Sequence, residues 1–164
     1  MTAPTVTPAV TEEAVFDAPV AEVWRTVNDH PTRTAWDVFL RRLDVHTSGP
    51  TRVGTEVTQY GRWLSGGVSM RARYTRVRPP SKEDPSAEME IEMVRGPWFF
   101  GRFRAVNRMD PLPGERCLSV GSYFFDVRPR WLAAVVGPIV TAVFAHETRA
   151  RWAAWRRHVN ASVG

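Results

Sequence analysis

Residues 67–109 read GVSMRARYTRVRPPSKEDPSAEMEIEMVRGPWFFGRFRAVNRM, and three runs within them alternate apolar and charged side chains: GVSMRARY (67–74), AEMEIEMV (87–94) and FFGRFRAVNRM (99–109). A period of two marks half-buried antiparallel strands, because successive side chains leave a pleated strand on opposite faces. Each run therefore has an assignable inside. Val68, Met70, Ala72 and Tyr74 face inward on the first, Met89, Ile91 and Met93 on the second, and Phe99, Phe103, Ala105 and Met109 on the third. Asn107 falls on the same inward side, and a buried amide is either satisfied by a neighbour or left to orient a ligand. Outward go Arg71 and Arg73, then Glu88, Glu90 and Glu92, then Arg102 and Arg104. If the runs are neighbours in a meander, a glutamate row lies between two arginine rows, at roughly 0.2–1 kcal/mol per facing pair.

Outward from this block, DVFLRRLDVHT (37–47), TEVTQYGRWL (55–64) and RCLSVGSYFFDV (116–127) also read as strands, and RPPSKEDPS (78–86) as a loop. Turn signals separate them at Ser48-Gly49-Pro50, Gly66-Gly67, Gly96-Pro97 and Pro111-Leu112-Pro113-Gly114, and long strands joined by short turns favour a meander. Before them stands a strand candidate, AVTEEAVFDA (9–18). Pro19 follows where a first helical turn accepts proline, with Asp17 or Ala18 ahead of it. In the helix PVAEVWRTVND, Val20, Val23, Trp24 and Val27 share one face, and HPTRTAW (30–36) reads as another short helical turn. The longest helical candidate runs from Arg130 to about Val159, with Leu132, Val135, Val136, Ile139, Val140 and Val143 on one face. Pro138 removes a backbone donor there and should kink the helix or divide it. Beyond it, Arg149, Arg151, Arg156 and Arg157 make the distal half basic.

The 164 residues are 43% hydrophobic and 24% charged, which excludes disordered and collagen-like chains and predicts one sizeable core. The organisation expected is a flexible head over residues 1–9 and a single domain over 10–164. A lone cysteine, Cys117, excludes an internal disulfide and any cluster of thiolate metal ligands. MTAPTVTPAV lacks the basic and apolar regions of a secretory signal, so a cytoplasmic location is the default expectation. The most apolar stretch, Trp131 to Ala145, is shorter than the roughly 20 residues a spanning helix needs. Net charge is +5, but all basic residues except Lys82 are arginine, which points to coding bias more than to an acidic partner. No G-x-S-x-G, P-loop, H-E-x-x-H or G-x-G-x-x-G motif occurs, and the four histidines are scattered. The sequence calls for no cofactor and no metal.

The order strand, two short helices, antiparallel strands, long terminal helix resembles the helix-grip fold of the START-like SRPBCC superfamily, particularly its polyketide cyclase/dehydrase-like branch. FDAPVAEVWRTVNDHPTRTAW (16–36), GPWFFGRFR (96–104) and RPRWLAAVVGPIVTAVF (128–144) carry the resemblance, which covers about residues 10–159. It implies an α+β fold in which a curved seven-stranded antiparallel sheet wraps a long kinked helix around a deep apolar cavity. Members divide between ligand carriers and enzymes, so the fold does not decide the chemistry.

Met70, Tyr74, Met89, Met93, Phe103, Tyr123 and Phe125 would face the space between sheet and helix. Adaptable methionines and rigid aromatics suit a pocket for an apolar guest, and equally a solid core. Trp36 is expected as a wall residue at the cavity mouth, Asp37 as a cap or a solvated charge. His146 and Glu147 are the catalytic candidates, since a helical wheel brings one of them toward the cavity. A histidine there could be the general base of an aldol cyclisation or dehydration. The alternative is a surface pair in salt links with Arg149 or Arg151. His30, in a turn, and His46, near a strand end, are poorer candidates.

The expected function is binding of a hydrophobic, polyketide-like or lipid-like small molecule, as a cyclase/dehydratase of secondary metabolism or as a non-catalytic carrier or sensor. A third reading is RNA or anionic-membrane contact through Arg149, Arg151, Arg156 and Arg157 beside Trp152 and Trp155. Nucleic acid and membrane are not favoured as partners; the protein is expected to be a monomer or homodimer.

Overall fold

In the computed structural model, which describes residues 7–62 and 67–163, the chain begins with strand β1 (Val10–Phe16) and two short helices, α1 (Val20–Asn28) and α2 (His30–Trp36). Six strands follow: β2 (Leu40–Val45), β3 (Glu56–Gly61), β4 (Ser69–Arg78), β5 (Ala87–Arg95), β6 (Phe100–Leu112) and β7 (Arg116–Val127). Helix α3 (Arg130–Val163) ends the chain. Residues 1–6 of the expected head, Trp63 and Leu64 of the third strand candidate and Gly66 of the next turn lie outside the described residues, as does the side chain of Leu132.

One seven-stranded sheet has the order β1-β7-β6-β5-β4-β3-β2, with every neighbouring pair antiparallel. The meander runs from β2 to β7, and β1 adds at the far edge beside β7. The alternating runs set this register. Arg78 faces Glu88, Arg76 faces Glu90, and Glu88 and Glu92 face Arg108 and Arg104 across β6. Of the arginines expected to flank the glutamate row only Arg104 meets it, at Glu90, while Arg76 and Arg78 further along β4 pair with Glu88 and Arg102 pairs with Asp126. Arg71 and Arg73 instead turn to Glu56 on β3, at 2.5 and 2.6 Å. Most of these pairs are open to solvent, which screens them, so they add little to stability.

Two local expectations are narrowed. Pro19 is itself the residue that caps α1, in extended conformation at φ −66°, and no side chain caps the helix. Pro138 does not divide the terminal helix: α3 is continuous from Arg130 to Val163 with the proline inside it.

The two halves of α3 have different surroundings. Its distal half supplies Trp152, Trp155 and Val159 to a core shared with Phe16, Val20, Val23, Met109 and Cys117. Gly121 makes that approach possible, since a Cβ there would meet the Trp152 ring at 2.5 Å. The proximal half crosses in front of the sheet without closing on it, and a cavity of about 550 Å³ remains between them. The predicted apolar face needs correction here. Val135, Ile139 and Val143 are largely exposed, although Ile139 and Val143 also border the cavity together with Val140, Phe144, Glu147, Thr148 and Arg151.

Candidate functional site

The cavity walls are set by the inward-facing strand positions. Met70 on β4, Met89 and Ile91 on β5, Phe103 and Ala105 on β6, and Tyr123 on β7 all border it. Phe144, which the sequence reading did not single out, projects from α3 into the middle of an aromatic group. Its ring centre lies 5.6 Å from Phe103, 5.3 Å from Tyr123 and 5.1 Å from Phe125, each edge to face. Such pairs add about 0.5–1.5 kcal/mol beyond burial and make a rigid apolar wall.

Of the residues expected to face this space, Trp36, Met70, Met89, Phe103, Asn107 and Tyr123 line the cavity, and so does Glu147. Tyr74, Met93, Phe125 and His146 are not among its lining residues. Tyr74 is buried in the core cluster. Met93 folds over Gly96, where its sulfur leaves no room for a Cβ. Phe125 packs behind Phe103 and Phe144, and His146 is exposed. One member of the His146/Glu147 pair thus faces inward, and it is the carboxylate.

The polar end of the cavity was not legible in the sequence. Asp37, the residue after α2, is 1% exposed and lines the cavity. Its carboxylate accepts hydrogen bonds from Arg151 Nε at 3.1 Å and Nη2 at 2.9 Å, and from the Phe39 backbone N–H at 3.1 Å. Arg33, one turn earlier, adds a contact at 3.4 Å. Burial alone would raise this carboxyl; the guanidinium groups of Arg151 and Arg33 and the hydrogen bonds hold it below its ordinary value. It is neither a solvated charge nor only a cap. Arg151 also donates to Gln59 Oε1 at 3.5 Å and senses the charge of Glu147. Trp152 Nε1 donates to the Tyr123 hydroxyl at 2.8 Å, and burial raises that phenol above its ordinary value. Asn107 is satisfied by a neighbour, its Oδ1 accepting from Ser119 Oγ at 2.7 Å, while the residue still borders the cavity. The indole N–H groups of Trp36 and Trp155, two further lining residues, find no acceptor among the described residues.

The remaining candidates fall elsewhere. His46 is exposed beside Thr58. The Cys117 thiol is buried and pushed up to about 12, which removes it as a nucleophile at neutral pH. Trp152 and Trp155 belong to the core and Arg151 to the cavity, so the arginine–tryptophan stripe of the distal helix is divided between interior and surface. Among the described residues no group of three or more His, Cys, Asp or Glu side chains is placed to hold a metal ion.

His30 is half-buried beside Tyr74, with Nε2 3.1 Å from Thr51 Oγ1 and Nδ1 without a partner among the described residues. Burial, assisted by the nearby Arg33 and opposed by Asp29, pushes its imidazole down to about 4. In the unfolded chain the ring takes up its proton near 6.5, so its contribution to stability is full above that pH and is lost as pH falls toward 4. Urea denaturation is expected to show about 2–3 kcal/mol lost over that window. The His30→Gln variant should flatten the slope; an unchanged slope would assign the loss to other groups.

Residues 7–160 match the protein family described as Polyketide cyclase / dehydrase and lipid transport. No curated protein matches the sequence directly. Among solved structures, the Zhui aromatase/cyclase of Streptomyces sp. R1128 is similar at 15% identity and TM-score 0.75, over 94% of each chain. A START superfamily protein of Mycobacterium smegmatis is similar at 13% identity and TM-score 0.70, over 92% of this chain and 95% of the other. A norcoclaurine synthase of Thalictrum flavum is similar at 14% identity and TM-score 0.68, over 94% and 95%. At these identities the likeness establishes the helix-grip fold and leaves the chemistry to the cavity.

Proposed function

Because this chain belongs to the polyketide cyclase/dehydrase and lipid transport family, we propose that its cavity binds a hydrophobic small molecule that is polar at one end. The observation that carries the reading is the division of the cavity: an aromatic and methionine wall along most of its length, and the Asp37–Arg151–Arg33 cluster at one place in it. Its volume of about 550 Å³ falls within the usual range for small-molecule sites. A guest with a planar or aliphatic body would lie against Phe103, Phe144 and Met89. Carbonyl, phenol or carboxylate oxygens at its other end would meet Arg151, already oriented by Asp37, and the amides of Gln59 and Asn107. A polyketide-like or lipid-like molecule of secondary metabolism has this chemistry.

A cyclase or dehydratase is the second reading, favoured by one observation: Glu147 borders the cavity beside Arg151, where a carboxylate could take a proton from carbon next to a polarised carbonyl. A carrier needs no such group. Native mass spectrometry of the purified protein is the first experiment, with a hydrophobic adduct expected that is released on denaturation; a protein that carries no adduct and binds no apolar dye would remove the reading. With the adduct identified, Glu147→Gln separates the two roles. A carrier keeps its affinity within a few-fold, whereas a cyclase keeps binding and loses turnover by roughly 10²–10⁴.

A further inference from the structure

The cavity mouth is surrounded by apolar side chains that face away from the protein. Trp131, Val135, Ile139 and Val143 recur at four-residue intervals along the proximal half of α3 and are 80, 68, 61 and 58% exposed. They form a stripe about 18 Å long. Ile139 and Val143 also border the cavity, so the stripe leads to its opening. The turn between β5 and β6 stands beside the start of this stripe: Phe100 pairs with Val127, the Arg128 N–H donates to the Phe99 carbonyl at 2.8 Å, and the Arg128 side chain lies over Gly101. That turn carries Trp98, 76% exposed, between Pro97 and Phe99, which line the cavity.

An apolar surface of this kind on one end of a protein marks an interaction site. Its charge selects the partner. Arg95, Arg128 and Arg130 are exposed at the same end and make no ion pair among the described residues; Arg102 is paired with Asp126. A second copy would bring the same arginines against themselves. Side chains exposed by more than half project outward instead of forming a recess into which a protein segment could fit. Projecting indoles rimmed by guanidinium groups suit the headgroup layer of an anionic bilayer, where tryptophan settles and arginine meets phosphate.

We propose that Trp98, Trp131, Val135 and Ile139, rimmed by Arg128 and Arg130, dock the protein on an anionic lipid surface with the cavity mouth against it. The sequence reading did not favour a membrane, and placed any such contact on the distal half of α3. The exposed ladder moves it to the proximal half, and a hydrophobic guest would then pass between lipid and cavity without crossing water.

The test is co-sedimentation of the full chain with vesicles of phosphatidylcholine, with and without phosphatidylserine. Binding is expected to the phosphatidylserine vesicles and to weaken as salt rises. The Trp98→Ser/Trp131→Ser double variant should weaken it by roughly tenfold or more. Arg128→Gln/Arg130→Gln, at two exposed positions, should weaken it and reduce its salt dependence, and decides the matter if the tryptophan variant folds poorly. Absence of binding to phosphatidylserine vesicles, or binding indifferent to both double variants, would overturn the proposal. So would a dimer in sedimentation velocity that Trp131→Ser dissociates, because the face would then be covered by another copy. Vesicle binding is read without any cavity ligand, so its failure is separate from failure of the ligand reading.

Discussion

Replacing Asp37 by alanine is expected to lower the unfolding free energy by about 3–5 kcal/mol, the cost of leaving a buried charge without its partner. Asp37 accepts both arms of the Arg151 fork and lies against Arg33 as well, so its loss would leave two guanidinium groups facing each other beside an apolar cavity. Urea denaturation measures this directly. The Asp37→Leu/Arg151→Met double variant should recover part of the lost stability, since an apolar pair removes two of the three charges together and leaves Arg33 without its carboxylate. A loss below about 1 kcal/mol for the alanine variant would mean that the pair behaves as a surface salt bridge.

The second large effect is on binding. Ala105 lies on β6 between Ile91 and Tyr123 and borders the cavity, so a tryptophan there projects its ring into open space. Displacing a guest from about 100 Å² of apolar wall costs about 2.5–3 kcal/mol, or roughly a hundredfold in Kd. Titration of Ala105→Trp with an anilinonaphthalene sulfonate dye, or with the molecule that co-purifies, should show that loss while the denaturation midpoint stays close to that of the parent. Unchanged affinity would place the guest outside the space between sheet and helix.

The sheet was legible because period-two alternation survives any tertiary context in which one face is buried. Met70, Met89, Phe103 and Ala105 reached the inside for that reason, and the short turns between the runs made them neighbours in a meander. The helix was less legible. From Trp131 to Ala145 it is apolar on every side, so periodicity selected Val135, Ile139 and Val143 along with Val140 and passed over Phe144, and the structure leaves the first three largely exposed. His146 and Glu147 are neighbours in the chain, and only the rotation of α3 decides which of them meets the cavity. Nothing in the sequence joins Asp37 to Arg151, which are 114 positions apart and belong to no motif. Their pairing is a consequence of topology: the end of α2 and the distal half of α3 meet over the same end of the sheet. A charge alone in a Trp-Asp-Val context reads as a cap, and burial is the property that sequence pattern reports least well for an isolated acid.

The edge position of β1 has a kinetic consequence. Val10 pairs with Tyr123 and Phe16 with Cys117, and α3 lies against that same strand, so β1 has no partner until β7 and α3 have been synthesised. Pairings of such long sequence separation delay the rate-limiting step, with folding times on the order of milliseconds to seconds for chains dominated by them. The alternating β4–β6 hairpins, each made from adjacent residues, can form in the meantime and act as the template onto which the two ends of the chain are later recruited.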